Sequence, residues 1–166
     1  MFPGRFLLIV ALGLLAGCAK PVALPDVVVS AASKEDFTRF NADLGQRFPP
    51  EQLQAFDTAV QELQLGAMHR DIATAAGREA DMLAAVNGQT VHAVTLLGWQ
   101  ARKARFLREL AEITRMLEHD LRQAAKAPPS DSLARRIGSE KEVSAKLQAS
   151  LAETDRRLAG LLSRPN

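Results

Sequence analysis

His69, His92 and His119 are the residues most suited by type to bind a metal or to move a proton near neutral pH. A zinc or di-iron centre needs such residues in register with thiolates or carboxylates, as in H-E-x-x-H or a repeated Glu-x-x-His. Here they fall on three separate segments with no such spacing. Glu118-His119-Asp120 sets an acid, a base and an acid side by side, but neighbours on a helix point about 100° apart, so the triplet reads as a solvated, charged face. Ser130, Ser132, Ser139, Ser144 and Ser150 have no histidine near them in sequence, and no G-x-S-x-G elbow occurs. Gly88-Gln89-Thr90 matches only the tail of a phosphate loop, without its lysine and without a strand before it. The single cysteine, Cys18, leaves no partner for an intramolecular disulfide. The residues therefore predict no catalytic site, metal or cofactor, and nothing in them demands an enzyme.

The chain has 166 residues, 47% hydrophobic and 24% charged. These fractions are close to those of ordinary globular domains and disfavour disorder, collagen-like structure and a multi-domain enzyme. At the start, Arg5 precedes an uncharged run over residues 6–15 that is too short to cross about 30 Å of hydrocarbon and reads as a secretory signal. The run ends in Leu15-Ala16-Gly17-Cys18, which resembles the lipobox of bacterial lipoproteins. The resemblance implies cleavage before Cys18, diacylation and N-acylation of that residue, and a membrane anchor that does not span. Each buried CH₂ contributes about 0.8 kcal/mol, so three chains anchor stably where one is marginal. Ala19, in place of an aspartate after the cysteine, implies sorting to the outer membrane, with the periplasm as the default side.

Removing residues 1–17 takes away only Arg5 and lowers the net charge from +2 to +1. Residues 34–66 hold three basic and six acidic side chains, whereas residues 91–166 hold fourteen basic and nine acidic. A basic C-terminal half suits anionic headgroups or a polyanion, or helps one half of the molecule pack on the other. Charges of both signs are mixed along the helices, which favours the second use. The compartment argues against nucleic acid as a partner.

The elements follow from caps, breakers and apolar spacing. Residues 18–32 contain Pro21 and Pro25 and no helical period, which predicts a flexible lipidated tether. Residues 26–30 have strand composition but no later segment to pair with. Ser33, with Asp36 three residues on, caps a helix whose Phe37, Phe40, Leu44 and Phe48 share one face. The helix must stop before Pro49-Pro50, and Pro50 with Glu51 opens a second helix through Leu53, Phe56, Val60 and Leu63. The two are expected to pair antiparallel. Gly66 punctuates, and residues 67–86 fit a third helix weakened in its middle by Gly77. Asn87-Gly88 ends it, and Thr90 caps the next.

Residues 91–125 keep a helical stripe through Val94, Leu97, Ala101, Phe106, Leu110, Ile113, Leu117, Leu121 and Ala124. The stripe slips between Gly98 and Arg105, where a bend is expected. After the break at residues 126–130, Leu133, Ile137, Glu140, Ser144, Leu147, Leu151, Thr154, Leu158 and Leu161 alternate at spacings of four and three, a heptad seam with three polar defects. Helices about 52 Å and about 50 Å long, joined by a short break, predict an antiparallel hairpin. Its middle is then either solvated or covered by another surface. The expected fold is all-α: a signal at 1–17, a tether at 18–32, short helices over 33–90 and a long, coiled-coil-like hairpin over 91–166.

Ser33-x-x-Asp36-Phe37, Pro50-Glu51-x-x-x-x-Phe56-x-x-Ala59 and Asn87-Gly88-Gln89-Thr90-x-x-x-Val94 resemble a group of small bacterial lipoproteins of unknown function. In that group a capped helix, a second helix carrying a Phe and a Gly-Lys-Thr turn lead into the next helix. Gln89 stands where that turn usually has lysine, so no role that needs a charge there carries over. The resemblance covers residues 30–101 and brings no catalytic residues with it.

Trp99, upstream of Arg102, Lys103, Arg105 and Arg108, forms a candidate contact with membrane or partner: a ring at the headgroup boundary and basic side chains on phosphates. The plainer reading makes Trp99 a core filler at the bend. Two functions are expected from these features. One is an envelope lipoprotein acting as a structural or interaction module, meeting an envelope protein or a second copy through the C-terminal hairpin. The other is a module that binds a lipid or other apolar ligand in a pocket of Phe37, Phe40, Phe48, Phe56 and Trp99.

Overall fold

The computed structural model describes residues 22–68, 74–126 and 130–163. The predicted signal, Cys18, His69 and the Pro128-Pro129 break lie outside them. Among the described residues the chain is all-α: a 3₁₀ turn, Leu24–Asp26, then α1 (Lys34–Arg47), α2 (Pro50–Met68), α3 (Ala75–Val86), α4 (Val91–Ala124) and α5 (Asp131–Leu162). The long α4 and α5 pack along each other as a hairpin, and α4 also packs on α2.

Local signals place the helix ends. The Ser33 hydroxyl accepts the Asp36 N–H at 3.1 Å and starts α1, while Phe48, forced to extended backbone by Pro49, ends it. Thr90 caps α4 in the same way, accepting the Ala93 N–H at 3.1 Å. Ser130 caps α5 through the Leu133 N–H.

Three expectations need correction. The second helix does not stop at Gly66: α2 runs on to Met68 and buries Ala67. A single helix over 67–86 does not form either, because Thr74 has an extended backbone and its hydroxyl accepts the Gly77 N–H at 3.0 Å, opening α3 there. Gly77 thus sits in a first turn, where its backbone freedom costs less than in a helix middle.

The third correction concerns the segment expected to have no strand partner. Val28 pairs antiparallel with Thr90. The Val29 N–H donates to Gln89 C=O at 2.8 Å, the Gly88 N–H to Val29 C=O at 2.9 Å and the Val91 N–H to Val27 C=O at 2.8 Å. Gly88 turns the chain at φ 76°, a conformation glycine adopts without penalty. Asn87 Oδ1 adds a bond from the Ala31 N–H. The alternation of this clasp sends Val27, Val29 and Ala31 inward, so the last part of the expected tether belongs to the core.

That core gathers Phe37, Phe40 and Leu44 of α1, Leu53, Phe56, Val60 and Leu63 of α2, Met82, Leu83 and Val86 of α3, and Val91 and Val94 of α4. The boundary expected at residue 91 therefore separates helices but not packing units. A second, smaller cluster joins Ala59 of α2, Trp99 of α4 and Leu158 of α5.

α4 is one helix through Gly98. A Cβ on Gly98 would lie 2.4 Å from Cα, Cβ and the carbonyl oxygen of Ala59, so this glycine serves the close crossing of α2 and α4. Through this stretch α4 packs on both neighbours at once: Trp99 clusters with Ala59 of α2 and Leu158 of α5, and Arg105 bonds Glu62 while Lys103 bonds Asp155. Along the hairpin the seam is narrow: Leu110, Ile113 and Leu117 of α4 and Leu133, Ile137, Leu147 and Leu151 of α5 are only half-buried. Leu121, expected in the stripe, is 42% exposed, and Asp120 faces inward in its place, three residues after Leu117.

Candidate functional site

The basic stretch of α4 is built around Glu62 of α2, which is 5% exposed. Glu62 lies one turn beyond Ala59, on the face of α2 that crosses α4 at Gly98. The close approach brings two guanidiniums to it. Arg105 donates from Nε to Oε2 at 2.9 Å and from Nη2 to Oε1 at 2.7 Å, and also bonds Glu109 at 2.8 Å. Arg102 reaches Glu62 at 3.4 Å and lies over Trp99 and Phe106, 5.3 and 5.1 Å from the ring centroids. The bonds from Glu62 raise the Arg105 pKa further above its ordinary value, against the opposing effect of burial.

Trp99 is a core side chain, and its Nε1–H donates to the Ala55 C=O at 3.1 Å. Lys103 crosses the hairpin to Asp155 at 2.7 Å. Of the five side chains read as one contact surface, Trp99, Arg102, Lys103 and Arg105 are engaged with neighbouring helices. Arg108 is exposed and edges an apolar groove of about 700 Å³ between α2, α3 and α4.

At the far end of the hairpin a second polar group sits in the seam. Asp120 of α4 is bound by both Nε and Nη2 of Arg136 on α5, the latter at 2.7 Å from Oδ1. These bonds hold the Asp120 carboxyl below the usual carboxylate range and raise Arg136. One turn further along α5, Glu140 is 4% exposed, and neither carboxylate oxygen has a hydrogen-bond partner. Both carboxylates open on a hollow of about 720 Å³ whose rim carries Arg115, Met116, His119 and Arg122. His119 and Asp120 thus border one hollow, although Asp120 turns to Arg136 while His119 lies 2.8 Å from the Gln123 amide.

The remaining chemistry-bearing types are placed apart. His92 lines a cleft of about 70 Å³ with Phe56 and Leu161. Among the described residues no group of three or more His, Cys, Asp or Glu could hold a metal ion. Phe37 stacks on Phe40 at 6.4 Å, and Phe40 meets Phe56 edge-on at 6.3 Å, while Trp99 belongs to the other cluster. Phe37, Phe40 and Phe56 therefore pack on one another in the main core, and Trp99 stands apart from them.

No protein-family model, curated protein or solved structure matches the chain. The site thus rests on its own geometry. Sequence reasoning missed Glu62, whose signal was its place one turn after Ala59 among the apolar positions of α2. It registered Glu140 and Thr154 as defects of the α5 seam but not that both would be buried. Thr154 satisfies its hydroxyl locally, donating to Ser150 C=O at 2.8 Å, which Glu140 cannot do.

Proposed function

We propose that the chain is a lipid-anchored protein of the bacterial envelope that acts as a structural or protein-interaction module and has no enzymatic activity. The anchor is acylated Cys18, and Ala19 favours the outer membrane, with the domain facing the periplasm. Among the described residues no helix is long and apolar enough to cross a membrane. One observation carries the interaction reading. Beyond Phe106 the hairpin leaves the packed core and offers Leu107, Met116, Leu121 and Val143 to solvent, over a seam whose Glu140 has no partner. An arm that is apolar in patches and unfinished in its polar bonds suits a protein partner better than water. The partner is an envelope protein or a second copy, and nucleic acid is not expected.

Crosslinking of the full chain in its native envelope tests this. Replacing Leu147 and Leu151 by Ser should abolish crosslinks through the hairpin while α1 to α3 stay folded, and Cys18→Ala should release the protein from the membrane fraction. Crosslinks unchanged by the double substitution would sink the interaction reading.

One feature favours the apolar-ligand reading as second. The groove edged by Arg108 is lined by Leu63, Ala85, Leu97, Ala101 and Ala104, a wall suited to an acyl chain with a cation for its head group. Organic extraction of the purified protein should then release a lipid in near-stoichiometric amount, and an empty extract removes the idea.

A further inference from the structure

The seam at the far end of the hairpin holds two buried carboxylates, Asp120 and Glu140, and one guanidinium, Arg136. Arg136 is committed to Asp120 through two bonds. Were it to turn to Glu140, one turn along the same helix, Asp120 would be left bare instead. Among these three side chains the seam is therefore short of one donor. A buried carboxylate with no partner is costly, and the cost vanishes when a cation from outside reaches it.

The same hollow carries that cation. Arg115 is exposed on its rim and makes no hydrogen bond or ion pair to any described residue. Met116 and Val143, both exposed, add apolar area at this end of the hairpin. One surface thus holds an unfilled acceptor, a spare donor and apolar cover, the composition that a two-fold contact between identical chains requires. We infer that two copies pair through the far ends of their hairpins, with Arg115 of each chain reaching Glu140 of the other across the hollow. This rests on the interaction reading above and deepens it by naming the partner as a second copy. Met116, which lines the same hollow as Glu140, is long and exposed, so admitting the partner's guanidinium takes a rotamer change there while Arg136 keeps its bonds to Asp120.

The test uses the full chain, expressed in cells with a photo-crosslinking phenylalanine analogue at Val143. Illumination should give a product of twice the monomer mass whose crosslink maps to residues 115–123 or 136–143 of a second copy. Arg115→Glu should reduce its yield about a hundredfold or more, the loss of one charge-assisted bond made twice over, and Arg115→Lys should keep most of it. Because Arg115 is exposed, neither change disturbs the core, and unchanged circular dichroism verifies this. No self-product, or one indifferent to Arg115→Glu, overturns the inference. A crosslink solely to a different protein also overturns it while leaving the interaction reading standing, and absence of any crosslink along the hairpin removes both.

Discussion

The two ends of α4 are held by different physics. At the N-terminal end Val91 and Val94 are buried among side chains from α1, α2, α3 and the 27–31 segment, and Gly98 lets α2 approach to backbone contact. Toward its C-terminal end the leucines are half-buried or exposed, and the deeply buried side chains are the carboxylates Asp120 and, from α5, Glu140. The first region spends its sequence on apolar burial, which is non-directional and strong in sum. The second spends it on a narrow seam and a few charged bonds, which fix register but add little net stability. One continuous helix thus joins an apolar root to an arm whose Glu140 has bonds to spare for another molecule.

That contrast can be broken or sharpened by substitution. Phe56→Ala empties the centre of the root and should cost about 3–5 kcal/mol in chemical denaturation, the largest effect expected. If the arm melted first in that variant, the root would not be what supports it. Gly98→Ala forces α2 and α4 apart and should cost about 1–3 kcal/mol, with a change in Trp99 emission as its bond to Ala55 loosens. Glu140→Leu should act in the opposite direction and stabilise the isolated chain by about 1–3 kcal/mol, since it removes an unsatisfied carboxylate from an apolar seam. A destabilised Glu140→Leu variant would mean that the carboxylate is already satisfied.

Acid should separate the regions too. Arg136 depresses the Asp120 pKa in the folded chain, so this contact adds stability above the unfolded carboxylate range, near pH 4. The contribution is lost as pH falls through the folded value. Amide exchange in the last turns of α4 and the first of α5 should therefore quicken below about pH 4 while the root stays protected, and Asp120→Asn should abolish the pH dependence of the difference. Smallest of all, Lys103→Ala removes an exposed cross-hairpin pair and should shift stability by less than about 1 kcal/mol.

Much of this architecture was legible from caps and periods. Ser33, Pro49 and Thr90 act locally, so their effects could be read residue by residue. The α5 seam from Leu133 to Leu161 faces α4 as its spacing required. What could not be read depends on contacts distant in sequence. Gly98 looked like a weak point of a helix because nothing in its neighbours announces Ala59. Arg102 and Arg105 looked free because Glu62 lies on another helix. Leu121 was placed inward because it is apolar, yet the register set by Phe106, Leu110, Ile113 and Leu117 points to Asp120. The strand-like residues 26–30 found their partner in a helix-to-helix turn, a place where period-based reading does not look for one.

The clasp between residues 27–29 and the turn before α4 also has a mechanical side. The Ala31 to Asn87 bond that extends it joins residues 56 apart, so α1, α2 and α3 form a loop closed at its base. A pull on the chain ahead of Val22 is delivered through these backbone bonds to the start of α4 and then along its axis. The three short helices lie off the load path, as slack in a cable lies beyond its clamp. Tension applied from the N-terminal side would reach the hairpin through Val27, Val29, Val91 and Val94, the part of the core that the clasp itself contributes.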